Sequence, residues 1–183
     1  MKKIAVILLT SILFLACREE LQPRFPVWRT YHKDYTASIY FNKKLFLAEQ
    51  KLFDSIEKHN PDLKFYKNSS GMRYYYLKKN DTADYHPKKG DWVRLNYGVY
   101  YIEGDTIYTP EEVGTVHYQV DKQEIFTGLG LAVKQLKEGE EAFFFIPSYL
   151  GYGLLGDGDR ISGNTPLKVY LKIQEIKSKK DTL

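Results

Sequence analysis

Two kinds of residue in this sequence could do chemistry: one thiol, Cys17, and a set of tyrosines beside glycines. Tyr152 lies between Gly151 and Gly153, a loop context in which a large aromatic is presented more often than buried, so it is read as functional. Tyr97, Ile125, Leu129 and Val169, taken by residue type alone, would be core in any domain that packs a sheet on a helix. His32, His59, His86 and His117 are scattered without ligand spacing and have no second thiol to join them, so no metal site is expected. Gly128-Leu129-Gly130 lacks the third glycine and the acid of a dinucleotide fingerprint, and Asp157-Gly158-Asp159 lacks the remaining ligands of a calcium loop. Both read as turns, and no cofactor is expected.

Cys17 follows Lys2 and Lys3, an apolar run from Ile4 to Leu15, and the small Ala16, which is the layout of a secretory signal peptide over residues 1–16. As a helix that run of about 12 residues reaches about 18 Å, short of a hydrocarbon core about 30 Å thick, so a membrane span is not expected. Phe14-Leu15-Ala16-Cys17 resembles a bacterial lipobox, with Phe14 where Leu is usual. The resemblance implies lipidation of the Cys17 thiol, cleavage before it, and attachment to a bacterial membrane through that lipid. The acidic pair Glu19-Glu20 resembles a surface-export signal of some outer-membrane lipoproteins, which implies the outer membrane, facing the periplasm or the cell surface. A single cysteine excludes an internal disulfide, so stability must come from an ordinary core. Of 27 basic and 23 acidic side chains, Lys2 and Lys3 leave with the leader, so 25 face 23 and the mature chain is nearly neutral. That balance does not suit nucleic acid, and Lys177, Lys179 and Lys180 read as a solvated end.

Residues 17–41, with Pro23 and Pro26, suit an extended tether. From Asn42 to Asn60 apolar side chains recur at three- and four-residue spacings, at Leu45, Phe46, Leu52, Phe53 and Ile56 with Glu49 on the same stripe, until Asn60-Pro61 stops the pattern. This predicts an amphipathic helical extension over 42–63, packed on its own domain or forming a homodimer through Asn42–Asn60. Beyond it the period becomes that of strands, near Met72–Leu77, Trp92–Ile102, Thr115–Asp121, Glu140–Ile146 and Leu167–Ile176. In the last, Leu167, Val169, Leu171 and Ile173 alternate with polar or large amphipathic residues, so one face is buried and one wet. Gly128–Leu136 reads as a short helix with Gly139 as a left-handed cap. The fold class is α+β: one antiparallel sheet wrapped around one short helix, in a domain over 64–178 followed by a disordered tail over 179–183.

Three ordered blocks then carry a family resemblance. Val93-Arg94-Leu95-Asn96-Tyr97-Gly98, the stretch from Lys122 through Ala132 followed by Leu136-Lys137-Glu138-Gly139-Glu140, and Ile146-Pro147-Ser148-Tyr149-Leu150-Gly151-Tyr152-Gly153 with Pro166-Leu167 beyond it are similar to the FKBP-type peptidyl-prolyl isomerases. Within that family the leader, linker and helix followed by Ser70-Gly71-Met72-Arg73-Tyr74 resemble the gliding-motility-associated lipoprotein branch. The resemblance implies an FKBP-like fold and a pocket walled by Tyr97, Ile107, Tyr108, Ile125, Phe126, Leu129, Tyr152 and Val169. Tyr152 would donate its hydroxyl to a substrate carbonyl, and the Phe126 backbone N–H would hold another. Leu129 stands where relatives have Trp, and Tyr108 where the family usually has Asp after an aromatic, which implies a shallower, more aliphatic pocket and slow catalysis.

Such a pocket needs no nucleophile. Rotation about an X-Pro bond faces a barrier of about 18 to 20 kcal/mol because resonance makes the C–N bond partly double. That resonance polarises the planar amide, so a water-poor pocket disfavours it more than the twisted form. The implied partners are proline-containing exported proteins. The competing readings are a non-catalytic module that binds a proline segment in a motility or secretion complex, and a purely structural lipoprotein.

Overall fold

The computed structural model describes residues 32–179, so the leader, Cys17 and most of the tether lie outside the described residues. The first element is α1, His32–His59. It begins inside the span expected to be a tether, because that expectation rested on Pro23 and Pro26 and no helix breaker follows them until Asn60-Pro61. Residues 36–44 bury little: Ile39, Tyr40 and Phe41 are exposed, so no apolar stripe marked them in the sequence.

The strands are β1 Tyr66–Lys67, β2 Arg73–Lys78, β3 Trp92–Tyr101, β4 Thr106–Tyr108, β5 Val116–Gln119, β6 Glu141–Ile146 and β7 Leu167–Lys177. All pair antiparallel in one sheet of order β1-β2-β6-β7-β3-β4, with β5 also on β3. Two short helices, α2 Pro110–Val113 and α3 Thr127–Val133, and a 3-10 turn over Ser148–Leu150 complete the domain. This is the α+β architecture the period changes predict.

Alternation along the strands decides the core. Leu167, Val169, Leu171 and Ile173 of β7, Ala142, Phe144 and Ile146 of β6, and Val93, Leu95, Tyr97 and Val99 of β3 all point inward onto Leu129, Ala132 and Val133 of α3. Gly128 lets α3 approach that closely, since a Cβ there would sit 2.5 Å from Ile146 Cγ2 and 2.9 Å from the Leu150 carbonyl oxygen. The helix ends at Val133, short of Leu136, and Gly139 (φ +79°) serves the next turn instead of capping it. Its N–H donates to the Ile173 carbonyl at 2.9 Å, and buried Glu140 accepts from the N–H groups of Lys137 and Asn80, so the turn is held by β7 and by side-chain acceptors. Of the tail expected over 179–183, Lys179 is tied to the domain, its N–H donating to Asp91 at 2.9 Å, and residues 180–183 lie outside the described residues.

The outer face of the sheet receives α1. Phe53 is fully buried against Phe145 with ring centroids 6.0 Å apart. Buried Arg73 of β2 donates to Gln50 at 2.6 Å and forms ion pairs with Asp54 and Glu57. Phe53 and Glu49 of the helical stripe are thus spent on its own domain, and a homodimer through α1 would use the exposed Ile39, Tyr40, Phe41, Leu47 and Leu52.

Candidate functional site

One cavity of about 440 Å³ opens where β3, β4, α2 and the β6–β7 loop converge. Two-residue alternation puts Tyr97 and Val99 of β3 side by side on its floor; Tyr108 comes from β4, Glu112 and Val113 from α2, and Tyr152 and Asp157 from the loop. Helix α2 is fixed by a capping box: the Thr109 hydroxyl accepts from the Glu112 N–H and the Glu112 carboxylate from the Thr109 N–H, with Pro110 pre-set for the first turn. This short element leaves no periodic signal, yet Thr109-Pro110-Glu111-Glu112 is its signature in the sequence.

Phe126 joins the two tyrosines that matter most. Its buried ring lies 6.5 Å from Tyr97, edge on, and 5.2 Å from Tyr152. Phe126 precedes α3 in an extended conformation (φ −154°, ψ 152°), and its carbonyl accepts from Leu129 and Gly130 while its N–H meets no acceptor among the described residues. Ile107, Leu129 and Val169 lie beneath, closed into the core, and Ile125 packs half-buried against that core without lining the cavity. The structure therefore gathers Tyr97, Tyr108, Phe126 and Tyr152 at one place, with three of the aliphatic candidates as their support.

Val99, Val113, Glu112 and Asp157 were not singled out for the site from sequence. Asp157 matters most, because it returns a carboxylate to a site whose β4 position carries Tyr108 instead. Its Oδ2 accepts from the Tyr108 hydroxyl at 2.6 Å, and its Oδ1 from the N–H groups of Asp159 (2.9 Å) and Ile161 (2.8 Å). Arg160 then staples the loop to β4 and α2: its guanidinium stacks on the Tyr108 ring at 4.8 Å and donates to the Ile107 carbonyl (2.7 Å) and to Glu112 (3.2 Å). Asp157-Gly158-Asp159 was legible only as a turn, since nothing in the sequence puts it beside Tyr108.

The hydroxyls stay protonated. Burial, and then the nearby Tyr97, Asp157 and Tyr108 oxygens, push Tyr152 up to about 12. The hydrogen bond to Asp157, and then burial, push Tyr108 up to about 12. Burial alone would raise the Asp157 carboxyl, but the bonds from Tyr108 and from two backbone N–H groups outweigh it and hold it below the usual carboxylate range. The site thus offers apolar walls, a neutral O–H donor at Tyr152, an N–H at Phe126, and two carboxylates at its side, Glu112 paired with Arg160 and Asp157 held by neutral donors.

The domain is one antiparallel sheet closed on one short helix, with a cavity walled by Tyr97, Tyr108 and Tyr152 and neutral donors beside it. Residues 83–173 match the FKBP-type peptidyl-prolyl cis-trans isomerase family, and the chain belongs to that family. The probable FKBP-type isomerase FkpA of Neisseria meningitidis is 30% identical, over 72% of this chain and 53% of its own, so this chain spans about half the length of that relative. FK506-binding protein 2 of Dictyostelium discoideum is 29% identical over 98 residues, covering 53% of this chain and 71% of its own. Among solved structures, FkpA from Escherichia coli aligns with a TM-score of 0.60 at 22% identity over 78% of this chain and 64% of its own. A Pseudomonas syringae peptidyl-prolyl isomerase aligns with a TM-score of 0.58 at 22% identity over 74% and 96%. At that identity the likeness is one of fold.

Proposed function

We propose that this protein is a prolyl isomerase carried on a lipid at Cys17, held at the outer membrane, and acting on proline-containing exported proteins. The observation that carries the catalytic reading is the cavity lined by Tyr97 and Tyr152, whose rings both meet Phe126 and of which Tyr152 keeps its hydroxyl protonated. A proline ring set against these aromatics loses water from its amide, which disfavours the polarised planar state. Tyr152 and the Phe126 N–H hold the flanking carbonyls while the bond turns.

The test is exchange NMR or a protease-coupled assay on Leu-Pro and Phe-Pro peptides. Tyr152→Phe keeps the wall and removes one neutral hydrogen bond worth about 0.5 to 1.5 kcal/mol, so kcat/KM is expected to fall about two- to tenfold. Because Tyr152 titrates near 12 and not near 10.0, the wild-type profile should carry no tyrosine break around pH 10, where an ordinary phenol would lose its proton. No exchange above the uncatalysed rate, together with measurable peptide binding, would replace this reading with a non-catalytic proline-binding module, the reading that Tyr108 and Leu129, which depart from the family's residues, favour.

For the anchor, Cys17→Ser is expected to abolish fatty-acid labelling and to move the protein from the membrane to the soluble fraction. Two or more acyl chains at about 0.8 kcal/mol per buried methylene hold far more firmly than one. Labelling of the variant at the wild-type level would sink the anchor.

A further inference from the structure

The negative charge of Asp157 is not neutralised where it meets the cavity. Among the described residues its hydrogen-bond donors are neutral: one phenol and two backbone N–H groups. The other acid on the cavity wall, Glu112, differs, because Arg160 pairs with it at 3.2 Å. The Arg160 guanidinium reaches the Ile107 carbonyl, Glu112 and, at 3.9 Å, Asp159, and it contributes no side chain to the cavity lining. The lining is therefore aromatic and aliphatic apart from these two carboxylates, and holds no Lys or Arg.

From this arrangement we infer that Asp157 sets specificity, selecting proline segments in which Lys or Arg stands next to the proline and rejecting those with Asp or Glu there. The inference deepens the prolyl-isomerase reading and rests on the same cavity. A proline seated against Tyr97 and Tyr152 brings its neighbour to the wall where Asp157 stands, five residues after Tyr152 in a loop whose Gly156 N–H donates to the Tyr152 carbonyl at 3.2 Å. There Asp157 is half-buried beside aromatic walls, so its charge is screened less than in open water but still answers to salt. Each Asp157 oxygen has two acceptor sites, and Oδ2 uses one on Tyr108, so the other is open to an ammonium or guanidinium.

The experiment is a titration of the purified full chain with proline peptides that differ only in carrying Lys, Leu or Glu on either side of the proline, with affinity and exchange rate read from the same NMR spectra. Wild type should bind the Lys peptide about tenfold more tightly than the Glu peptide at low ionic strength, with Leu between them, and the ratio should shrink in about 0.5 M salt. Asp157→Asn, which keeps the size, leaves its oxygen to accept from the Asp159 and Ile161 N–H groups and turns its amide N–H toward the Tyr108 hydroxyl oxygen, should bring the ratio to about one. Equal affinities in wild type, or a ratio that survives Asp157→Asn, overturn the inference. Absence of exchange on the Leu peptide would overturn the isomerase reading instead, while the affinities would still decide the role of Asp157.

Discussion

Glu49→Ala is expected to lower kcat/KM on a Leu-Pro peptide about a hundredfold, the loss that a misplacement of about 1 Å brings to a positioned group, although Glu49 lies in α1 and does not line the aromatic cavity. Its carboxylate is 4% exposed and accepts the N–H of Ser148, itself buried, with both oxygens at 3.3 Å. Burial raises the Glu49 carboxyl above its ordinary value and the hydrogen bonds from Ser148 only partly offset this, so the side chain is kept in an unfavourable place for what it holds. What it holds is the first residue of the 3-10 turn Ser148–Leu150, directly ahead of Gly151 and Tyr152. The neighbouring ties run the same way: Phe46 meets Tyr149 at 5.9 Å, and the Tyr149 hydroxyl donates to the Ser70 carbonyl at 2.7 Å. Removing the acceptor leaves a buried N–H unsatisfied, at a cost of about 1 to 3 kcal/mol that the turn can escape only by moving. Glu49→Gln retains an acceptor and should recover most of the loss. A merely structural role predicts the same penalty in any background. Action through Tyr152 predicts a smaller one in Tyr152→Phe, which a double-mutant cycle reads directly. Wild-type kcat/KM in Glu49→Ala would end this account.

The sheet was legible because its strands are long and their inner faces unmixed: β7 alternates without a break from Leu167 to Ile173, and each inward residue is fully buried. Helix α1 was legible from Asn42 on, where Phe46, Glu49 and Phe53 face the domain, and illegible before it, where the helix carries exposed Ile39, Tyr40 and Phe41. The two-residue β1 and three-residue β4 are too short for a period to form, and register with a neighbour defines them. Tyr152 stood out by its glycine-flanked loop, whereas Tyr97 and Tyr108 came from a resemblance, since by type alone Tyr97 is core and is only 9% exposed. Asp157 was beyond both routes. Its place depends on how a loop folds back over β4, and that depends on two glycines.

Gly163→Ala is the sharper test of that loop, and it is expected to reduce kcat/KM about a hundredfold while leaving the melting temperature within about 5 °C of wild type. A Cβ on Gly163 would stand 1.9 Å from the Leu154 carbonyl oxygen and 2.7 Å from its carbon, both backbone atoms that cannot rotate away. Opposite it, Gly156 at φ +75° would bring a Cβ to 2.0 Å from the Ile161 carbonyl oxygen, so the two arms of the loop touch along their main chains. They are joined there by Asn164 N–H to Gly153 O at 2.7 Å and Asp157 N–H to Ile161 O at 3.1 Å. An added methyl must part the arms, which breaks these bonds, withdraws Asp157 from Tyr108 and loosens the segment that presents Tyr152. The core is touched little, because the loop tip contributes exposed Leu154 and Leu155 and only Ile161 is buried. Gly158→Ala is the control. Its φ of +81° imposes a left-handed strain of about 1 to 2 kcal/mol on the alanine, but a Cβ there meets nothing within 4 Å, so the arms stay together and activity should fall far less. If Gly163→Ala keeps kcat/KM within about threefold of wild type, or if Gly158→Ala loses as much, close contact between the arms is not what holds the site.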